Sequence, residues 1–256
     1  MEKEIRETME YISNFSLYAF EEELKQGFIT VRGGHRVGIA GKVIVEKERV
    51  KTLKYIHFLN IRFAHERKGC AEQIIPFLRN ENSIYNTIFF AAPGVGKTTC
   101  LRDAIRILSN GDMEHAGMKI CVVDERSEIA ACVEGKPQND LGKRTDVLDA
   151  CPKGVGMRMM LRSMSPEIIA VDELGKEEEF MLLEQMRCSG VKILGTMHAG
   201  DIEQVFRNPL IRKSIDVYIR NNDNPIIERF VELIRLENGN REFRIYDGQG
   251  KLLWGK

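Results

Sequence analysis

The alternation of hydrophobic and polar positions changes character near residue 86. Ahead of it, Lys3 to about Lys25 carries Ile5, Met9, Ile12, Phe15 and Leu24 among charged residues, the spacing of an amphipathic helix. Two β-rich runs follow, Phe28 to Arg32 and Arg36 to Val45, broken by Gly33-Gly34 and by Gly41, which predicts a hairpin or small sheet. Tyr55 to Arg67 is apolar and basic by turns, Gly69 to Leu78 predicts a short helix, and the polar Arg79 to Asn86 predicts a linker. Beyond it, apolar runs at 87–92, 118–123, 167–171, 191–196, 215–219, 226–236 and 241–246 alternate with helical patterns. That alternation predicts a mostly parallel α/β sheet. The last two runs, separated by Glu237-Asn238-Gly239-Asn240, predict a hairpin closing its edge. The expected organisation is a small α+β amino-terminal domain with its linker over residues 1–82, then a larger α/β domain over 83–256.

The first strand of the larger domain carries the clearest chemistry. Asn86 to Ile105, NTIFFAAPGVGKTTCLRDAI, reads as an apolar strand, a glycine turn with a lysine, and a helix marked by Leu101, Ala104, Ile105 and, beyond it, Leu108. A phosphate-binding loop has the form G-x-x-x-x-G-K-[ST]: backbone N–H groups wrap the phosphates, the lysine reaches the terminal ones and the hydroxyl reaches Mg²⁺. Gly96, Lys97 and Thr98 fit, whereas Ala91 replaces the first glycine. Alanine is tolerable at a strand end in β conformation, while Gly94 and Gly96 remain where positive φ is needed and Pro93 stiffens the turn. At average residue usage G-x-G-K-[ST] arises by chance in roughly one chain in a hundred of this length, and the flanking strand and helix reduce that further. The expected nucleotide-binding residues are Ala91, Ala92, Pro93, Gly94, Val95, Gly96, Lys97, Thr98 and Thr99, with Lys97 also acting on the transferred phosphoryl group.

Hydrolysis needs in addition an acid for Mg²⁺ and a group that orients the attacking water. EIIAVDELG, Glu167 to Gly175, offers both at a strand end: Asp172 for the metal, together with Thr98, and Glu173 for the water. Taken alone, the pair also fits an ordinary strand end with solvated carboxylates. KILGTMHAG, Lys192 to Gly200, ends in Thr196 and His198, and ligands collect at the carboxyl ends of such strands. His198 is therefore a candidate for sensing or stabilising the γ-phosphate. CVVDERSEIA, Cys121 to Ala130, ends in Asp124, Glu125 and Arg126, where a carboxylate assists metal or water and Arg126 pairs with it, or where all three form a solvated cap.

Bulk properties narrow the classes. Lys plus Arg and Asp plus Glu each number 38 in 256 residues, a formal net charge of zero, which argues against a dedicated nucleic-acid coat. The six cysteines show no C-x-x-C pair and no histidine at ligand spacing, so reduced thiols are expected. The charged start MEKEIRETME is unlike a secretory signal, and no run approaches the ~20 apolar residues of a membrane span. A soluble protein is expected, with any membrane link made through a partner.

VVDERSEIA, the long run from GKPQNDLGKRTDVLDACPKG to AVDELG, and APGVGKTTCLRD closely resemble the stage III sporulation protein AA family of endospore-forming bacteria. Upstream, ITVRGGHRVGIAGK and LNIRFAHE share the resemblance, which runs from about residue 28 to about 200. That family is similar to the hexameric traffic ATPases of type II and type IV secretion. The resemblance implies a RecA-like ATPase domain behind the amino-terminal one, ATP and Mg²⁺ as cofactors, and self-assembly as a hexamer. It also implies a cytoplasmic place in the mother cell, docked on membrane-associated channel proteins of the same operon. It places Lys97 and Thr98 in Walker A and Asp172 and Glu173 in Walker B; Glu125 falls in the acidic box and His198 where a histidine box stands. Ring motors complete their sites with a neighbour's arginine. Arg32, Arg36, Arg62 and Arg67 in the amino-terminal part and Arg144, Arg158 and Arg162 in the larger domain are the candidates, and the sequence does not choose among them; the expectation is that one or two of Arg32, Arg36 and Arg62 act in trans. A nucleic-acid-associated ATPase and an ATP-dependent scaffold with little turnover are the alternatives.

Overall fold

The amino-terminal helical spacing divides into two helices in a computed structural model of the protein, which describes residues 2–13, 20–81, 83–221, 224–237 and 239–255. Helix α1 spans Glu2–Ile12 and α2 spans Glu21–Gln26, so the single helix expected to about Lys25 is not continuous, and Phe15 lies outside the described residues. Helix α2 stops because Gly27 turns left-handed, φ 80°, and its N–H closes on the carbonyls of Glu23 and Leu24.

Strands β1 (Phe28–Val31), β2 (His35–Glu46) and β3 (Arg49–Arg62) form an antiparallel sheet in that order. The stretch from Tyr55 to Arg62, for which the apolar-basic alternation suggested no element, is the second half of β3 and pairs with β2 through Ala40↔Phe58 and Gly38↔Asn60. Met9, Leu24, Ile29 and Ile39 make the small core between these helices and the sheet.

By internal packing, residues 1–66 with 131–139 form one unit and residues 67–130 with 140–256 the other. Residues 67–82, assigned from sequence to the amino-terminal part, pack in the larger unit. There Ile74 and Leu78 are buried and the Ala71 N–H donates to Asp103 Oδ2 at 2.9 Å. Within the segment read as a linker, Arg79 bridges to Ile84 and Ile84 is buried.

The larger unit runs α3 (Ile75–Leu78), β4 (Thr87–Ala91), α4 (Lys97–Asn110), β5 (Ile120–Asp124), β6 (Thr145–Asp149), α5 (Lys153–Ser163) and β7 (Ile168–Val171). After a 3₁₀ turn, Glu177–Glu179, come α6 (Phe180–Cys188), β8 (Lys192–His198), α7 (Ile202–Arg207), α8 (Pro209–Asn221), β9 (Arg229–Arg235), β10 (Arg241–Asp247) and β11 (Leu252–Gly255). The described strands form one eight-stranded sheet in the order β11-β10-β9-β4-β8-β7-β5-β6, parallel from β9 to β6. This is the mostly parallel α/β architecture expected, with a smaller antiparallel sheet ahead of it. The central strands β4, β5 and β7 are buried at every position, as strands covered on both faces must be.

Three departures have local causes. The apolar run 215–219 lies in α8 rather than in a strand: Asn208 Oδ1 accepts the Leu210 N–H at 2.9 Å, Pro209 occupies the first turn, and the buried Leu210, Ile211 and Ser214 recur at helical spacing. The β9–β10 hairpin forms as expected, but β11 pairs outside β10 and takes the edge. Strand β6, an added strand at the far edge, is half-buried throughout and too polar to stand out by composition.

Candidate functional site

Parallel strands β4, β8, β7 and β5 bring their carboxyl ends to one edge of the sheet, and the loops that follow them meet there. The loop after β4 turns at Gly94, φ 77°, and again at Gly96, φ 109°, before Lys97 opens α4. Ala91 remains the last residue of β4, so the missing first glycine falls where no positive φ is required. Gly96 sits at the N-cap of a 14-residue helix, whose first N–H groups and dipole favour an anion.

Lys97 is 6% exposed and folds back across the loop. Its Nζ donates to the carbonyls of Ala91 at 3.1 Å and Ala92 at 3.3 Å and stands 3.0 Å from Nδ1 of His198. An ammonium has no lone pair, so with Lys97 charged the ring nitrogen Nδ1 is the acceptor of this contact. Burial holds the Lys97 ammonium below the ordinary lysine range, against the opposing pull of Asp172 and Glu173.

A single hydroxyl positions the acids after β7. Thr196, buried in β8, donates from Oγ1 to Asp172 Oδ1 at 2.7 Å and accepts the Glu173 N–H at 3.0 Å. Glu173 adopts φ 50°, a left-handed conformation costly for a side-chain-bearing residue. Its carbonyl accepts from Lys153 Nζ, and Lys153 in turn pairs with the buried Glu179 at 2.9 Å. The Glu173 carboxylate meets Arg126 Nη1 at 2.9 Å.

The loop after β5 is held from beneath. Asp124 is fully buried and accepts the N–H groups of Glu128 at 2.8 Å, Ile129 at 3.0 Å and Ala130 at 2.7 Å. Burial pushes its pKa up while those three N–H groups pull it down. Arg102 of α4 grips the same loop, donating to the carbonyls of Ile129 at 2.7 Å and Glu128 at 2.8 Å. Asp124 is therefore occupied in shaping the loop. Arg126 reaches Glu173 rather than pairing with Asp124, the carboxylate that ends its own strand.

A cavity of about 250 Å³ gathers Pro93, Gly94, Gly96, Lys97, Thr98 and Thr99 with Arg126, Glu128, Asp172, Glu173, Thr196 and His198. A second, of about 260 Å³, is lined by Glu125, Arg126, Lys153, Asp172, Glu173 and His198 among others. Glu125, exposed, thus faces the adjoining cavity, whereas Glu128 shares the one lined by Lys97 and Thr98. Glu128, Arg102 and the Lys153–Glu179 pair were not singled out from sequence; only Glu128, the third acid of DERSE, left any local sign. Arg32, Arg36 and Arg62 belong to the other unit, where Arg36 lies 3.8 Å over the Phe28 ring and opposite Arg62 across β2 and β3.

Among the described residues no three His, Cys, Asp or Glu side chains form a ready-made metal cage. Mg²⁺ does not call for one, because it keeps waters and takes one or two protein oxygens beside substrate phosphates. Thr98 Oγ1 and the Asp172 carboxylate, in one cavity, fit that requirement. No helix among the described residues is long and apolar enough to cross a membrane.

The model of the family described as "Sporulation stage III, protein AA" matches residues 1–253. Stage III sporulation protein AA of Bacillus subtilis (strain 168) is 43% identical over 242 residues, covering 94% of this chain and 76% of its own. The fold is similar to that of the Yersinia pseudotuberculosis ATPase DotB, with a TM-score of 0.58 and 15% identity over 94% of this chain and 67% of that one. It is also similar to the pilus retraction motor PilT, solved with bound ADP, with a TM-score of 0.54 and 16% identity over 91% of this chain and 65% of that one. At such identities the two solved structures speak for the fold.

Proposed function

The chain belongs to the sporulation stage III protein AA family, and we propose that within it the chain is a Mg²⁺-dependent ATPase that assembles as a ring, a hexamer. The ring would energise or assemble the channel joining mother cell and forespore during endospore formation. It would work in the mother-cell cytoplasm, docked on membrane-associated proteins of its operon, with one or two of Arg32, Arg36 and Arg62 completing a neighbour's site. The observation that carries the ATPase reading is one cavity in which Gly94, Gly96, Lys97 and Thr98 meet Asp172, Glu173 and Thr196. Family membership and the motor-ATPase fold support it.

In this reading the loop N–H groups and Lys97 hold the β- and γ-phosphates, and Thr98 and Asp172 hold Mg²⁺. The metal would neutralise charge on the phosphate oxygens. Glu173 orients a water that attacks the γ-phosphorus and receives its proton, as the bond to the β-phosphate oxygen breaks and leaves ADP and phosphate. His198, in contact with Lys97, would respond to the γ-phosphate.

The test is phosphate release with and without Mg²⁺. Lys97→Ala should lower it at least about a hundredfold, and Glu173→Gln should retain ATP without turnover. Solution mass of Glu173→Gln with ATP checks the ring. A wild-type protein that binds no ATP overturns the reading, and a Glu173→Gln protein hydrolysing at the parent rate removes Glu173 from the mechanism.

A further inference from the structure

The other flank of the glycine loop is formed by β9 and β10. Phe90 of β4 pairs with Glu232 of β9, so Arg235, three residues on, falls level with the start of the loop. Arg241, the first residue of β10, lies directly opposite Arg235 and points to the same face of the sheet. Beneath them on that face, Leu233 and Phe243 are buried, so the two guanidiniums stand at the end of a packed surface. Like charges directly opposite destabilise a ladder. Among the described residues neither guanidinium has a hydrogen-bond or ion-pair partner.

Arg241 is the nearer to the loop. A Cβ placed on Gly96 would lie 2.5 Å from its Nη2, 2.8 Å from its Cζ and 3.2 Å from its Nε. Gly96 therefore lacks a side chain for two reasons, its φ of 109° and the guanidinium lying against it. The same charge acts on Cys70 and Cys100, and Cys70 Sγ lies 3.8 Å from the Thr99 carbonyl. Arg241 thus runs beside the first turn of α4, across the loop from Asp172 and Glu173.

That placement fixes a direction. The acids of β7 and the histidine of β8 mark the terminal-phosphate side, so a nucleotide lying along the loop turns its nucleoside end toward β9 and β10. We propose that Arg241, with Arg235 across from it, binds the nucleoside end of the nucleotide, donating charge-assisted hydrogen bonds to the α-phosphate. The inference rests on the nucleotide reading and adds to it a binding determinant on the carboxyl-terminal hairpin, far in sequence from every motif. Arg241 serves affinity rather than bond cleavage.

The experiment titrates ADP and inorganic tripolyphosphate into the full chain as wild type, Arg241→Ala, Arg241→Lys and Arg235→Ala, and measures ATP turnover at saturation. Arg241→Ala should weaken ADP and raise the KM for ATP by about ten- to a hundredfold, the effect of losing hydrogen bonds to a charged group. Its kcat should stay within about twofold of wild type, because the loss is uniform binding. Tripolyphosphate, which carries a phosphate at the α position, should lose affinity in parallel. Arg241→Lys should recover part of the loss as a point charge, and Arg235→Ala should show a smaller loss. A merely structural role would lower kcat together with affinity, would lower the melting temperature of the nucleotide-free protein, and would not be rescued by lysine; that pattern overturns the proposal. So does ADP affinity within about twofold of wild type in Arg241→Ala. Should the alanine variant not fold, wild-type ADP affinity in both Arg241→Lys and Arg235→Ala overturns it. A wild type that binds neither ADP nor tripolyphosphate sinks the nucleotide reading itself, a separate outcome.

Discussion

On one side of the glycine loop, Asp172 and Glu173 follow β7, Glu128 lies in the loop after β5, and β8 brings Thr196 and His198; on the other, β9 and β10 carry Arg235 and Arg241. The acidic side is internally satisfied. Thr196 fixes Asp172 and the Glu173 backbone, Arg126 engages the Glu173 carboxylate, and Asp124 and Arg102 hold the loop that bears Arg126 and Glu128. The arginine side is held by its sheet ladder and by the buried Leu233 and Phe243 beneath it, its charged tips without partners among the described residues. Groups that act on a transition state gain from being fixed before substrate arrives. Groups that supply affinity gain from being left unpaired until it does. The two sides should accordingly separate in kinetics, one governing turnover and the other binding.

Thr196→Val offers the largest effect that bears on this contrast. Valine keeps the volume and burial of the side chain but removes the donor to Asp172 and the acceptor for the Glu173 N–H. Turnover should fall by about ten- to a hundredfold, the usual cost of losing a partner that orients a metal-binding or catalytic group, while ADP affinity holds. Steady-state ATPase assays beside ADP titration check this. Equal losses in both would mean that the acidic side is part of the binding surface and would erase the distinction.

Much of the acidic side was legible in sequence because its signals are local. A strand, two glycines and Lys97-Thr98 adjoin one another, Asp172-Glu173 directly follow a buried strand, and His198 ends another. The arginine side was not legible, since Arg241 meets Gly96 only after β9 and β10 have paired onto β4. The same holds for Lys153 and Glu179, whose buried ion pair supports the loop after β7 from two different elements. For the fold, runs buried at every position announced β4, β5 and β7, whereas 215–219 misled because a short apolar run does not distinguish strand from helix. What decides that segment is the Asn208-Pro209 cap before it.

Asp124 tests the claim that the acidic side is internally satisfied. Asp124→Ala leaves the N–H groups of Glu128, Ile129 and Ala130 without their acceptor and should destabilise the protein by about 1–3 kcal/mol in urea unfolding. Asp124→Asn, with one carbonyl oxygen in place of two, should fall between alanine and wild type. Lost turnover at unchanged stability would instead make Asp124 a member of the reacting site.

The smallest effect expected lies in the pH dependence of Lys97, which stands between the two sides. Burial places its folded pKa below the ordinary value of 10.5. Between those two values the unfolded chain binds more protons than the folded one, so the stability of the nucleotide-free protein should rise with pH across that window. Phosphate binding needs the ammonium, so ADP affinity should fall across the same window, with a limiting slope of about tenfold per pH unit for a single proton. Opposite trends in melting temperature and ADP affinity, both absent in Lys97→Met, would assign them to this side chain. Affinity that declines on the alkaline side while stability declines with it would point to general unfolding and remove Lys97 as the cause.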